Sequence, residues 1–416
     1  MRYLFLIIVI SPLVLFSCKK EKEDLNISDI PLSSSYLYEI MDEAYFWNTS
    51  MPENPDLNKN PFELLEDLRY KPIDKWSYIT TTEQYNSYFV QGTFEGYGFG
   101  HEPDQEGNVR ISFVYEDSPL KTRGVKRGWI ISRINSTTIN SESNLYSILN
   151  DDSQHSFEFI DNEGVTHNFT FSKREMNINS VLLDTIITVD GIRIGYLAFQ
   201  TFIEVSRNEL ISAFGNFKNM GIDELVVDLR YNGGGRVDIG LLLGGLIGGS
   251  EVENQIMVTF KHNTNWSDED RSELFESHDN NIDLDRVFFI TTRGSASASE
   301  MLINGLSPFL PVYIIGDNTH GKPVGMYSWS FKDYTVAPIC FKITNADGYG
   351  EYYDGLEADS YILDDVTHAL GDTAELCFRE AIYYIKNGAF SAEGQLKYAK
   401  PEKQFPTGFQ FQTGAI

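Results

Sequence analysis

The sequence predicts a mixed α/β protein: an α/β core, a preceding all-β module and a small N-terminal helical cap. Three observations carry this. After about residue 176, apolar strands (Gly195–Phe199, Glu224–Leu229, Arg286–Ile290, Val312–Ile315) alternate with helices (Ser206–Met220, Ser299–Leu306), the pattern of a sheet flanked by helices. Between residues 93 and 175 short alternating strands (Val109–Val114, Trp129–Ile134, Ser156–Ile160, His167–Phe171) are separated by turn residues, which reads as an all-β unit. From residue 32 to 92, Leu37, Ile40, Met41, Ala44 and Tyr45 recur at helical spacing with breaks at Pro52, Pro55 and Pro61.

The ends read differently. Met1-Arg2 and an apolar run over residues 3–16 lead into Leu15-Phe16-Ser17-Cys18. Such a run is shorter than the roughly 20 residues of a membrane-spanning helix and reads as a signal peptide, residues 1–17. Its end resembles a bacterial lipobox, which implies that Cys18 carries lipid and anchors an exported protein to a membrane, on the periplasmic or surface face of an outer membrane. The mixed charges of Lys19–Asp24 make residues 18–31 a solvated tether, and residues 388–416 a polar tail. Cys340 and Cys377 are expected as buried free thiols. A net charge of −27 gives no footprint for nucleic acid, while 42% hydrophobic residues are enough for a core.

Within the β unit, Asp117–Asn135 resembles the signature of PDZ domains, with Gly128-Trp129 where Gly-Asp is usual. The resemblance implies that a peptide adds as a strand at a sheet edge and that Gly96, Tyr97, Gly98, Phe99 and Gly100 form the loop holding its terminal carboxylate.

Chemistry concentrates in three segments. Gly294-Ser295-Ala296-Ser297-Ala298-Ser299-Glu300 joins a buried strand to a helix, where small residues allow a sharp turn and the first helical amides are free to donate. By itself this run also reads as an N-cap, with Glu300 answering the helix dipole. Asn318-Thr319-His320-Gly321-Lys322-Pro323 follows the next strand, and a desolvated Lys can serve as the base that a Ser hydroxyl needs. Glu224–Gly235 ends in a glycine cluster.

In order and spacing these segments resemble the C-terminal processing (tail-specific) peptidases, Ser/Lys serine proteases, over residues of about 93 to 386. The resemblance implies Ser297 as nucleophile and Lys322, 25 residues later, as base. It places the oxyanion between the amide of Ala298 and that of Gly234 or Gly235, in a loop shaped by Asn232 and Arg230. Asp354–Asp359 and Gly371-Asp372 match segments near the end of the protease domain, residues 176–387. No cofactor is implied, and the partners are polypeptides held by their C-terminal ends. Family members commonly carry a Gln four residues after the Lys, and here that position is Met326, a side chain with no hydrogen to donate. Ser295, Thr319 or a backbone carbonyl would then orient Lys322; otherwise the chain is a degenerate peptide-binding member of the fold. A phosphate loop is excluded because Pro323 stands where Ser or Thr must bind magnesium. Scattered His residues give no metal spacing, and His320 is expected to pack against its turn.

Overall fold

Strands Ile192–Phe199, Glu224–Asp228 and Val287–Thr291 are buried along nearly their whole length, so they need cover on both faces. They lie in a six-stranded sheet of spatial order Val181–Val189, Ile192–Phe199, Glu224–Asp228, Val287–Thr291, Val312–Gly316, Ser360–Tyr361. The first two form a hairpin turning at Asp190 and Gly191, with φ of 51° and 88°, as a two-residue hairpin turn demands. The other neighbours are parallel, with Val227 opposite Phe289 and Ile290 opposite Ile315. Alternate residues therefore face opposite layers. Leu225, Val227 and Phe289 join Phe214, Leu242 and Leu302 of helices Ser206–Met220, Val237–Gly248 and Ala298–Leu306. Val226, Phe288 and Ile290 meet Phe378, Ala381 and Ile385 of helix Leu376–Asn387. The chain is seen here in a computed structural model that describes residues 30–394 except 142, 144 and 150–153. The expected signal peptide, Cys18, the tether up to residue 29 and the tail from 395 lie outside the described residues.

Two further sheets accompany the six-stranded sheet. Arg271–Leu274, Ile256–His262, Ile339–Thr344 and Val324–Met326 form one, in that order. The other is antiparallel, with Phe99–Pro103 at its edge, then Val109–Val114, Ile130–Ile134, His155–Ile160 and Thr166–Phe171. It holds its own core of Ile111, Ile131, Phe157 and Phe159. The N-terminal stretch is joined to the rest more closely than a cap would be. Leu37, Met41, Leu64 and Leu68 share a core with Val324, Val336 and Ile339, and strand Tyr78–Thr81 pairs with Tyr334–Ala337. The helix expected over Pro119–Thr122 is a single 3₁₀ turn, Lys121–Arg123, stopped by Gly124 at φ 78°. Cys340 and Cys377 are buried and free, as expected. Among the described residues no helix is long and apolar enough to cross a membrane.

Candidate active site

The loop after strand Val287–Thr291 is stitched to the end of strand Glu224–Asp228. Ser295 Oγ donates to Leu229 O (2.7 Å), Ala296 N to Asn232 O (3.1 Å) and Ser299 Oγ to the same carbonyl (3.0 Å). These anchors hold Ser297 at φ 56° and ψ −112°, a backbone region that side-chain-bearing residues seldom occupy and that costs about 1–3 kcal/mol. Such a strained strand-to-helix elbow pushes a side chain out of the turn, and Ser297 lines a cavity of about 220 Å³.

Beside it runs the glycine loop. Asn232 Nδ2 donates to Phe199 O (2.9 Å), and its Oδ1 accepts from Gly234 N (2.9 Å). Gly234 has φ 97°, and a Cβ there would sit 2.7 Å from Ala296 O and 2.8 Å from Ser297 Cβ; only glycine brings the backbone so close to the serine turn. The expectation that the Gly234 amide faces an oxyanion is corrected by its bond to Asn232. Gly234 O and Arg236 N instead bridge to Phe202, which leaves the Gly235 amide outside that bridge. Among the described residues the Ala298 and Gly235 amides have no acceptor.

Glu300 connects this elbow to the lysine turn. Its fully buried carboxylate accepts from Thr319 Oγ1 (2.6 Å) and Gly321 N (2.6 Å) on Oε1, and from Lys322 N (2.8 Å) and Ser297 N (2.9 Å) on Oε2. Burial raises its pKa and the four donors oppose that rise. Sequence reading assigned Glu300 to the helix dipole. Its larger role is a clamp on two loops, foreshadowed only by the Ser-x-x-Glu spacing of a capping box.

The expected orienting hydroxyls are also corrected. Thr319 Oγ1 donates a hydrogen bond to Glu300 Oε1 and accepts one from Leu356 N (2.7 Å), and Ser295 Oγ donates to Leu229 O. Neither lines the cavity. His320 donates from Nδ1 to Arg293 O (3.2 Å) and accepts at Nε2 from Trp76 Nε1 (3.1 Å). Burial pushes its ring down to about 4, and with both nitrogens engaged it packs against the turn and is no base for Ser297.

Lys322, Ser297, Ala298, Gly234, Gly235 and Met326 all line the same cavity. Lys322 opens onto it, yet its ammonium is crowded enough that desolvation lowers the pKa from 10.5 to about 8, against the pull of Asp74 and Glu300. Met326, in strand Val324–Met326, gives the wall a thioether that donates nothing. The rest of the wall went unread in the sequence. Tyr85, Tyr88 and Phe89 come from the N-terminal stretch, Met301 from the serine helix, and Phe341 and Ile343 from strand Ile339–Thr344. Trp76 also belongs to it.

Gly96–Gly100 lie apart from this wall. Gly96 ends strand Thr93–Gly96, Gly98 turns at φ 73°, and Phe99 and Gly100 begin the edge strand. Tyr97 is buried, its hydroxyl on His155 Nδ1 (2.6 Å). Among the described residues no cluster of three His, Cys, Asp or Glu could hold a metal ion.

Residues 193–360 match the family model Peptidase family S41, and residues 34–78 match that of the Peptidase S41 N-terminal domain. The chain belongs to peptidase family S41. Ser297, Lys322 and the glycine loop fall within the first S41 span, and Asp74 and Trp76 within the second. A relative is the "Probable CtpA-like serine protease" of Staphylococcus saprophyticus, 22% identical over 314 residues, covering 74% of this chain and 60% of that protein. A Staphylococcus aureus protein of the same name is 21% identical over 330 residues, covering 78% of this chain and 63% of its own length. The chain thus spans about three fifths of the curated relatives it matches. Among solved structures, an S41 protease from Bacteroides fragilis superposes with a TM-score of 0.69 at 22% identity, covering 89% of this chain and 99% of the other. The photosystem II D1 C-terminal processing protease gives 0.51 at 18% identity, covering 83% and 96%. The S41 fold, a mixed α/β architecture, is shared with both.

Proposed function

We propose that this S41 member is a serine endopeptidase in which Ser297 is the nucleophile and Lys322 the general base. The observation that carries this is the single Glu300 carboxylate bonding the backbone amides of both Ser297 and Lys322 at the wall of one cavity. Neutral Lys322 takes the hydroxyl proton as Ser297 Oγ bonds to the scissile carbonyl carbon. The amides of Ala298 and Gly235 donate to the oxyanion, in a site where preorganised donors are worth several kcal/mol. As the C–N bond breaks, Lys322 returns the proton to the leaving amine. Water then hydrolyses the ester, again through Lys322.

The finer reading follows the PDZ resemblance. The open edge of strand Phe99–Pro103, beside the Gly96–Gly100 turn, captures the C-terminal end of an exported polypeptide as an added strand. Cys18 carries the lipid that keeps the enzyme at a bacterial membrane; loss of fatty-acid labelling in Cys18→Ser is the expected result, and retained labelling contradicts it.

The deciding experiment is hydrolysis of an unfolded protein by residues 19–416, beside Ser297→Ala and Lys322→Ala. Wild type cleaves and both variants lose at least about 1,000-fold, the scale of losing a nucleophile or its base. If wild type is as inert as the variants but binds C-terminal peptides, Met326 marks a degenerate binding module and the peptidase reading falls.

A further inference from the structure

Strand Ile192–Phe199 runs into Gln200, which is 3% exposed and lines the cavity that holds Ser297 and Lys322. Its backbone amide donates to Ser180 O (2.8 Å), and its side-chain Oε1 accepts from Tyr115 Oη (2.7 Å). Tyr115 is itself buried and follows strand Val109–Val114 of the antiparallel sheet, so this bond fixes which way the Gln200 amide faces. Among the described residues Gln200 Nε2 donates to nothing, yet it is not sealed from solvent as Trp129 Nε1 and Tyr352 Oη are. The NH₂ group therefore opens onto the cavity. Polar groups beside it on the same wall are committed. Tyr88 Oη donates to Thr201 Oγ1 (3.3 Å), which donates to Gly234 O (3.4 Å), and Arg236 pairs with Glu204 and Asp238. A nearly buried donor without an acceptor is unfavourable in the empty cavity and is met when an acceptor enters.

We propose that Gln200 is a substrate-binding residue: its Nε2 donates to a backbone carbonyl of the bound polypeptide, outside the scissile bond, and Tyr115 is the positioning residue that turns the amide toward it. This rests on the reading of the cavity as a peptidase site. Gln200 lies against the loop that does the chemistry there, because Phe202, two residues on, donates to Gly234 O and accepts from Arg236 N on either side of the Gly235 amide. A peptide carbonyl is the acceptor that fits. The donor is neutral and so has no call for a carboxylate, and the cation on this wall is already paired. Every residue of an unfolded chain presents a carbonyl, so this grip holds a polypeptide whatever its side chains. Made equally in ground and transition states, such a bond acts on KM and not on kcat.

The test uses the Ser297→Ala chain of residues 19–416, so that turnover plays no part, with unfolded casein as the probe. In protein labelled with 15N-glutamine, the side-chain amide signals of Gln200 are those missing from Gln200→Leu. Saturating casein is expected to shift a Gln200 amide proton downfield, and Gln200→Leu to weaken casein binding about fivefold, the worth of one neutral hydrogen bond. In the chain with Ser297 intact, Gln200→Leu and Tyr115→Phe raise KM and leave kcat in place. A Gln200 signal unmoved at saturation, or an affinity unchanged in Gln200→Leu, overturns the proposal, whether or not the chain cleaves casein. A shifted signal and a lowered affinity in a protein that hydrolyses nothing with Ser297 intact overturn only the peptidase reading. Gln200→Leu leaves the buried Tyr115 hydroxyl without its acceptor. If that variant does not fold, Gln200→Leu combined with Tyr115→Phe removes both partners, which is far less costly than orphaning one, and the same affinity is read.

Discussion

At the scale of the residue, Lys322 shows how a site is made at the expense of stability. Its pKa falls from 10.5 to about 8 because burial penalises the ammonium more than Asp74 and Glu300 favour it. Between pH 8 and 10.5 the unfolded chain binds the proton that the folded chain has released, so stability rises with pH across that window. Below about pH 8 the folded state carries the full cost of the buried charge, about 3 kcal/mol. Lys322→Met should therefore unfold at higher urea than wild type at pH 7, by up to that amount, with the gain gone by pH 10.5. Equal midpoints at pH 7 would show that the ammonium is solvated. The same titration gives the catalytic profile its sign. The base works neutral, so kcat/KM climbs with pH through about 8 and levels above it.

At the scale of the element, the serine helix and the lysine turn are separate excursions from neighbouring parallel strands, Val287–Thr291 and Val312–Gly316. Parallel neighbours bring the loops beyond their ends side by side, and Glu300 then binds them with four hydrogen bonds. Glu300→Gln would put an amide NH₂ opposite backbone donors in place of one oxygen. The expected cost is about 2–4 kcal/mol from lost charge-assisted bonds and the two donors that lose the replaced oxygen, together with near-complete loss of hydrolysis as the Ser297 and Lys322 backbones separate. Urea unfolding and activity assays check both. A Gln variant of wild-type stability and rate would reduce Glu300 to the helix-dipole role its position suggests.

At the scale of the whole molecule, the separate β core is wired to the glycine loop through charge. Arg127 donates to Tyr231 Oη (2.5 Å) and Ser112 O (2.8 Å) and pairs with Asp364 (3.1 Å). Arg230, with no side-chain exposure, pairs with Asp228, Asp364 and Glu375. Removing one member of a buried ionic cluster costs about 3–5 kcal/mol because the others stay buried unpaired. Arg127→Ala should weaken the docking of the β module by an amount of that order, while its own core of Ile111, Phe157 and Phe159 persists. Hydrogen exchange is expected to quicken at Arg230–Gly235 and at the module's contact face, and to stay slow inside the module. Unchanged exchange at Arg230–Gly235 would mean that the cluster contributes nothing to the loop.

Much of this was legible in advance. Helix Ser206–Met220 lies where its periodicity put it, and the core strands fall within a residue or three of their expected bounds, because buried strands and amphipathic helices declare themselves over a few adjacent residues. Ser297, Ala298 and Lys322 are the residues implied by the resemblance of three short segments to the C-terminal processing peptidases, and the structure brings them to one cavity. What stayed hidden was contact between distant segments. Trp76 lies far in sequence from the serine and lysine runs, the apolar wall of Tyr88, Met301 and Phe341 comes from three separate stretches, and the hydroxyls of Ser295 and Thr319, candidates to orient Lys322, are engaged with Leu229 and Glu300. Local patterns fix element type because their energetics are local. Which amide, carboxylate or hydroxyl remains free is decided only when every other buried polar group has found its partner, and that accounting exists in the folded chain alone.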